Sequence, residues 1–201
     1  MKVAVTGATG TIGRAVVNAL LDRGDEVAAL SRDADRATSV LGDEVDAFTW
    51  TDPKSEPAPA AALADCNAVV HLLGEPVSQR WTDEAKREIR DSRVLGTRNL
   101  VAGLEGSAVR TLVSQSATGW YGARGDEPVD ESEPAANDFL AGVVRDWEAE
   151  ARRADEEHGV RVALARTGVV LSPDGGALVP DRSRPGNGLE LKRAEAERYA
   201  A

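Results

Sequence analysis

Gly7, Gly10 and Gly13 stand between a β-branched run, Val3 to Thr6, and a stretch with Ile12, Val16, Ala19 and Leu20 at helical spacing. Strand, tight turn and helix in that order create a place for phosphate, because the helix start has unpaired N–H donors and a partial positive charge. Gly7 permits the sharp turn, Gly10 lets a diphosphate approach the backbone with no Cβ in the way, and Gly13 lets the helix pack on the strand. The loop predicts dinucleotide contacts at Gly7, Thr9, Gly10, Thr11, Ile12 and Gly13. The plain alternative is a glycine turn with only a structural role.

A second strand, Glu26 to Leu30, follows Gly24, a residue suited to a left-handed helix end. At its close, 19 residues past Gly13, a site for NAD usually carries a carboxylate against the ribose hydroxyls. Ser31-Arg32 occupies that place. A guanidinium can donate charge-assisted hydrogen bonds to a 2′-phosphate, so the sequence favours NADP(H) over NAD(H). An exposed arginine opening a loop is the competing reading.

These residues need a scaffold, and the rest of the pattern supplies one. A weaker helix is predicted over 34–41, a strand over 46–50, a proline-rich loop over 53–59, and a buried strand over 68–73. Thr82 caps a long helix running to about residue 105, with Val94, Thr97, Val101 and Leu104 on one face. A strand over 111–114, a segment rich in Ser, Gly and Tyr, a helix from Phe139 to near Gly159, and a strand over 161–166 follow. Strands alternating with helical crossovers predict an α/β Rossmann-type doubly wound parallel sheet, helices on both faces, with its crevice at the strand carboxyl ends.

Composition narrows the function classes. A net charge of −10, from 34 acidic and 24 basic residues, argues against nucleic acid as a partner. No apolar run approaches the roughly 20 residues that span a bilayer, and no export signal precedes the first strand, so a cytoplasmic protein without a membrane partner is expected. Cys66 is the sole cysteine, which excludes an internal disulfide and a thiolate-built zinc site; no metal is expected. Only four basic residues are lysine (Lys2, Lys54, Lys86, Lys192), which resembles proteins of halophilic archaea and equally fits a GC-rich genome that favours arginine.

Further motifs carry a family resemblance. Residues 6–13 resemble the cofactor loop of extended, epimerase-like short-chain dehydrogenases/reductases, and residues 65–74 resemble their fourth strand and its turn. Gly74-Glu75-Pro76, Arg80-Trp81-Thr82, Ser92-Arg93-Val94-Leu95-Gly96-Thr97, Tyr121-Gly122-Ala123-Arg124-Gly125-Asp126, Asp138-Phe139-Leu140, Asp146-Trp147-Glu148 and Arg166-Thr167-Gly168-Val169-Val170-Leu171 resemble an atypical subgroup, the NAD-dependent epimerase/dehydratase-like oxidoreductases. The likeness spans about residues 1–178. It implies an NAD(P)-binding Rossmann domain over 1–178, a small-molecule substrate, and cofactor contacts at Leu72, Leu73, Gly74 and Glu75. For Glu75, a solvated loop carboxylate is an equal alternative. The resemblance also implies a homodimer paired through two long helices, although Trp147 reads first as a core residue.

Chemistry in that superfamily rests on a substrate-orienting Ser and a Tyr-x-x-x-Lys pair. Ser116 matches the Ser, but neither Tyr121 nor Tyr199 has a Lys four residues on. Tyr121 is the substitute proton donor that position suggests; packing under the substrate loop is the plainer reading. His71, among apolar neighbours, reads as a hydrogen-bonded strand histidine.

In the resembled family a substrate-capping region opens at about residue 175 and continues beyond this chain's length. Here 179–201 reads as an irregular and charged helical tail, a remnant of that region, truncated or frame-shifted, with an evolved short variant as the alternative. Three functions are therefore expected: an NADP(H)-dependent oxidoreductase or epimerase-like enzyme for an unidentified carbonyl or sugar-nucleotide-like substrate, a non-catalytic NADP(H)-binding sensor or interaction protein, or an inactive fragment.

Overall fold

A computed structural model of the chain describes residues 1–172 and 175–176. Its strands β1 (Lys2–Thr6), β2 (Glu26–Ser31), β3 (Val45–Thr49), β4 (Ala68–His71), β5 (Thr111–Ala117) and β6 (Arg161–Thr167) form one all-parallel sheet in the order β3-β2-β1-β4-β5-β6. The predicted doubly wound Rossmann-type fold is therefore present. Parallel pairing buries both faces, which is why these strands are rich in Val and Ala rather than alternating with charge.

Helices α1 (Thr11–Asp22) and α2 (Ala34–Leu41) cover one face, where Val3, Val5, Val17, Val27 and Ala29 share a core with Leu41. The other face carries α3 (Ala60–Leu63), α4 (Asp83–Ala102) and α5 (Phe139–His158), whose Leu63, Leu100 and Ala151 pack over Ala4, Val69 and Leu112. The long helices start where short polar side chains can accept their first amides. Thr82 accepts from the Ala85 N–H at 3.1 Å, and Asp138 from the Ala141 N–H at 2.9 Å. Strand order reverses between β1 and β4, and the crevice of such a sheet opens at that switch, outside the strand carboxyl ends.

Two boundaries differ from expectation in ways that affect the site. β4 ends at His71, so Leu72 and Leu73 belong to the following turn. β5 runs on to Ala117, three residues past the predicted end, and a single 3-10 turn, Thr118–Tyr121, follows it. Ser and Gln are poor strand markers, and the hydrogen bonds that extend β5 come from β6 pairing through Ala117↔Thr167. A β7–β8 hairpin (Leu171–Ser172, Gly175–Gly176) closes the described chain; the predicted charged tail lies outside the described residues.

Candidate functional site

At the β1 end the glycines behave as their spacing requires. Gly7 sits at φ +65°, and a Cβ there would lie 2.9 Å from the Leu72 carbonyl oxygen, so the turn after β1 presses on the turn after β4. A Cβ on Gly13 would lie 2.2 Å from the Gly7 carbonyl oxygen and 2.7 Å from Ala8 Cα, a collision with backbone that cannot yield cheaply. Gly10 is different. It is the exposed N-cap of α1, and its Cβ would meet only the Gly7 carbonyl oxygen, at 3.3 Å.

The first α1 amides that find a helical acceptor begin at Arg14, which donates to the Gly10 carbonyl at 2.9 Å. Thr11, Ile12 and Gly13 therefore offer N–H groups, no side chain caps the helix, and its first turn holds no acidic residue. This cradle fits a diphosphate in shape and charge. Ser31 ends β2, and the exposed Arg32 that follows has no hydrogen-bond or ion-pair partner among the described residues. The nearest following carboxylate, Asp33, is already committed to capping α2, accepting from the Arg36 N–H at 2.9 Å.

The β4 turn is held by one face of α4. The Ser92 hydroxyl accepts from the Glu75 N–H at 2.9 Å, Arg93 donates to the Glu75 carbonyl at 2.9 Å, and a Cβ on Gly96 would meet Leu73 Cδ2 at 2.8 Å. One residue further along, the Thr97 hydroxyl lies 2.9 Å from His71 Nε2, whose Nδ1 lies 2.8 Å from the Thr6 hydroxyl. His71 is fully buried, and that burial pushes its pKa down to about 3. The hydrogen-bonded strand histidine that the sequence predicted is present, with a partner on each ring nitrogen. The motif 92–97 is thus a helix face reading the end of β4, a role its residue types alone did not disclose.

The expected catalytic residues sit in a different arrangement. Because β5 continues, its alternation turns Ser116 onto the face covered by α5, where it is completely buried and donates to Glu148 Oε1 at 2.5 Å. Arg166, its register partner on β6, donates from Nε to Glu148 Oε1 at 2.8 Å and from Nη2 to Oε2 at 3.0 Å. Arg152 adds a bond to Oε2 at 3.1 Å. The Arg166 Nη1 reaches the Tyr121 hydroxyl at 3.0 Å, and its guanidinium lies 3.9 Å from the Trp120 ring centre.

Burial pushes the Glu148 carboxyl up, but the hydrogen bonds from Arg166 and Ser116 and the two nearby guanidinium charges bring it below the ordinary glutamate value. Bonds to that carboxylate in turn raise the Arg166 pKa. Ser116 and Tyr121 are therefore joined through Arg166 and Glu148, two residues that sequence reasoning missed. Their only signal was their place in the family-like runs 146–148 and 166–171, without a spacing that links them. An open cavity of about 410 Å³ between Glu131, Arg152, Leu164, Ala165 and Arg166 flanks this network at the β6 edge, away from the glycine turn.

Residues 3–185 match the model of the NAD dependent epimerase/dehydratase family. The chain belongs to that family. An epimerase family protein of Mycobacterium bovis is 38% identical over 198 residues, covering 98% of this chain and 63% of the relative. The chloroplastic SDR39U1 homolog of Arabidopsis thaliana is 38% identical over 182 residues, covering 89% and 51%. The chain thus spans about half to two-thirds of these relatives.

Among solved structures, the nucleoside-diphosphate sugar epimerase of Corynebacterium glutamicum superposes with a TM-score of 0.72 at 37% identity, covering 89% of this chain and 36% of that one. Human epimerase family protein SDR39U1, solved with NADPH, gives 0.72 at 30% identity, covering 88% and 57%. Family membership and the glycine cradle agree on a nicotinamide dinucleotide as the ligand class. Among the described residues of this family member, no cluster of three or more His, Cys, Asp or Glu could hold a metal, and no helix is long and apolar enough to cross a membrane.

Proposed function

We propose that the chain binds NADP(H) in preference to NAD(H) and acts as an oxidoreductase or epimerase-like enzyme on a carbonyl or sugar-nucleotide-like substrate. The observation that carries the reading is the start of α1: three amides that meet no acceptor among the described residues, no acid in the first turn, a glycine N-cap, and Gly7 pressed on the β4 turn. Arg32, which meets no partner among the described residues, supports the 2′-phosphate, and the NADPH held by the human relative agrees with it. Bound there, the coenzyme would supply or accept hydride.

Gly7, Thr9, Gly10, Thr11, Ile12 and Gly13 hold the diphosphate in this reading, Ser31 and Arg32 the adenosine ribose end, and Leu72, Leu73, Gly74 and Glu75 the wall toward the nicotinamide. Tyr121 exchanges the proton, with Arg166 as the cation against its hydroxyl in place of the absent Lys. Ser116 is a positioning residue that acts through Glu148.

A second reading, a dinucleotide-binding sensor without turnover, is favoured by one observation: the Ser116 hydroxyl is buried and already spent on Glu148. Nicotinamide fluorescence during NADPH and NADH titration, followed by a carbonyl-substrate screen, separates the two. The enzyme reading expects tight NADPH binding with turnover that Tyr121→Phe abolishes while binding persists. Binding without turnover on any carbonyl supports the sensor, and full turnover in Tyr121→Phe removes the proton role.

A further inference from the structure

Arg93 is a half-buried cation with no counter-ion among the described residues. Its Nη1 is used on the Ile89 and Glu75 carbonyls, at 3.0 and 2.9 Å. Its Nε and Nη2, the edge that forms a two-pronged fork, face no acceptor among the described residues. The Glu75 carboxylate supports the charge from a distance without forming an ion pair, and burial still pushes the guanidinium down to about 10. Such a group remains protonated at neutral pH and keeps its full charge at the crevice wall.

The surroundings aim this cation at the crevice. Its guanidinium carbon lies 3.0 Å from where a Cβ on Gly74 would stand, so the exposed glycine leaves open the space beside the fork. Beneath it lies the Trp147 ring, with its centre 5.3 Å away. Trp147 is itself 2% exposed, and its Nε1 is a buried donor with no partner among the described residues. Two adjoining groups thus hold donors that meet no acceptor among the described residues, at the turn after β4. Buried polar groups in folded proteins are nearly always paired, so the orphaned Trp147 N–H beside an open guanidinium edge points to an acceptor that arrives from outside.

We propose that Arg93, backed by Trp147, is the receptor for an oxyanion group, a carboxylate or phosphate, carried by the substrate. This deepens the nicotinamide-enzyme reading and rests on it. A substrate held there by its charged end would have its carbonyl beside the turn of Leu73 and Gly74. Ser92 and Gly96 keep the receptor in register, because the first fixes the Glu75 N–H and the second seats Leu73 against α4.

The test uses the full chain saturated with NADPH and follows the Trp147 indole ¹H–¹⁵N resonance, identified by its loss in Trp147→Phe. Inorganic phosphate and malonate are titrated against chloride at matched ionic strength. A saturable shift is expected in the wild type, weakened at least about tenfold in Arg93→Gln and less in Arg93→Lys, which keeps the charge but loses the fork. No saturable shift with either anion, or an equal response in Arg93→Gln, overturns the proposal.

NADPH affinity of each variant, read separately by fluorescence, assigns the source of the anion. Should Arg93→Gln weaken NADPH itself about tenfold, and phosphate act only on the coenzyme-free protein, the oxyanion is the coenzyme's own and the substrate assignment falls. Failure of the wild type to bind NADPH at all would instead sink the underlying enzyme reading, whatever phosphate does.

Discussion

The turn after β1 and the patch between β5, α5 and β6 both lie at the carboxyl edge of one sheet, yet they are made of different materials. The first is backbone: three glycines within seven residues expose amides and remove side chains. The second is side chain: Ser116, Tyr121, Glu148 and Arg166, scattered over 51 residues, meet in a buried ionic network. A site made of amides depends on local chain geometry and tolerates little change of shape. A site made of distant charges depends on every partner being present, because removal of one leaves the others buried and unpaired.

The largest effect should come from the second region. Glu148→Ala strands Arg166, whose side chain is 12% exposed, together with the Ser116 hydroxyl, and should cost about 3–5 kcal/mol by urea unfolding while NADPH affinity of the folded protein is unchanged. A loss below about 1 kcal/mol would place the pair with ordinary surface ion pairs and erase the contrast. Next comes Gly13→Ala, whose added carbon strikes the Gly7 and Ala8 backbone; about 1–3 kcal/mol of stability and the NADPH site should be lost together.

His71 sits on the seam between the two regions, bonded to Thr6 of β1 and Thr97 of α4. Its folded pKa of about 3 lies below the ordinary 6.5, so the unfolded chain takes up a proton that the folded one refuses. Stability should fall as pH drops from 6.5 toward 5, by up to about 1.4 kcal/mol per unit. The carboxylates held low, including Asp25, Asp52 and Glu148, contribute only as pH falls through their own ordinary values of 3.8 to 4.5 and below. A His71→Gln variant should flatten the slope above pH 5; an unchanged slope would assign the proton elsewhere. The smallest effect is expected for the exposed Arg32. Arg32→Asp should leave stability alone and lower the NADPH-to-NADH affinity ratio by about tenfold, and an unchanged ratio removes Arg32 from the account.

The same contrast explains what could be read before the structure was known. The parallel doubly wound sheet, the helix cap at Thr82 and the β1 turn follow from local rules, since periodicity, short polar caps and glycine spacing each act within a few residues. His71 was legible for a similar reason, as its apolar strand neighbours imply burial. Ser116 was identified as a candidate, but its environment was not. Its strand runs three residues further than Ser and Gln suggest, and in a strand one residue of position decides which face a side chain occupies. Arg93, Glu148 and Arg166 carry no local signal, because a charged residue on a helix or edge strand is ordinarily solvated; only the packing of α4 and α5 on the sheet buries Glu148 and half-buries the two arginines.

Gly10 gives the most direct test of the dinucleotide claim, because an added methyl there meets only one oxygen, at 3.3 Å, and leaves the fold room to persist. NADPH titration of the wild type and of Gly10→Ala, with thermal unfolding recorded on both, should give equal melting points and binding weakened at least about tenfold in the variant. Equal NADPH affinity in the two proteins would contradict a diphosphate lying on the amides of α1.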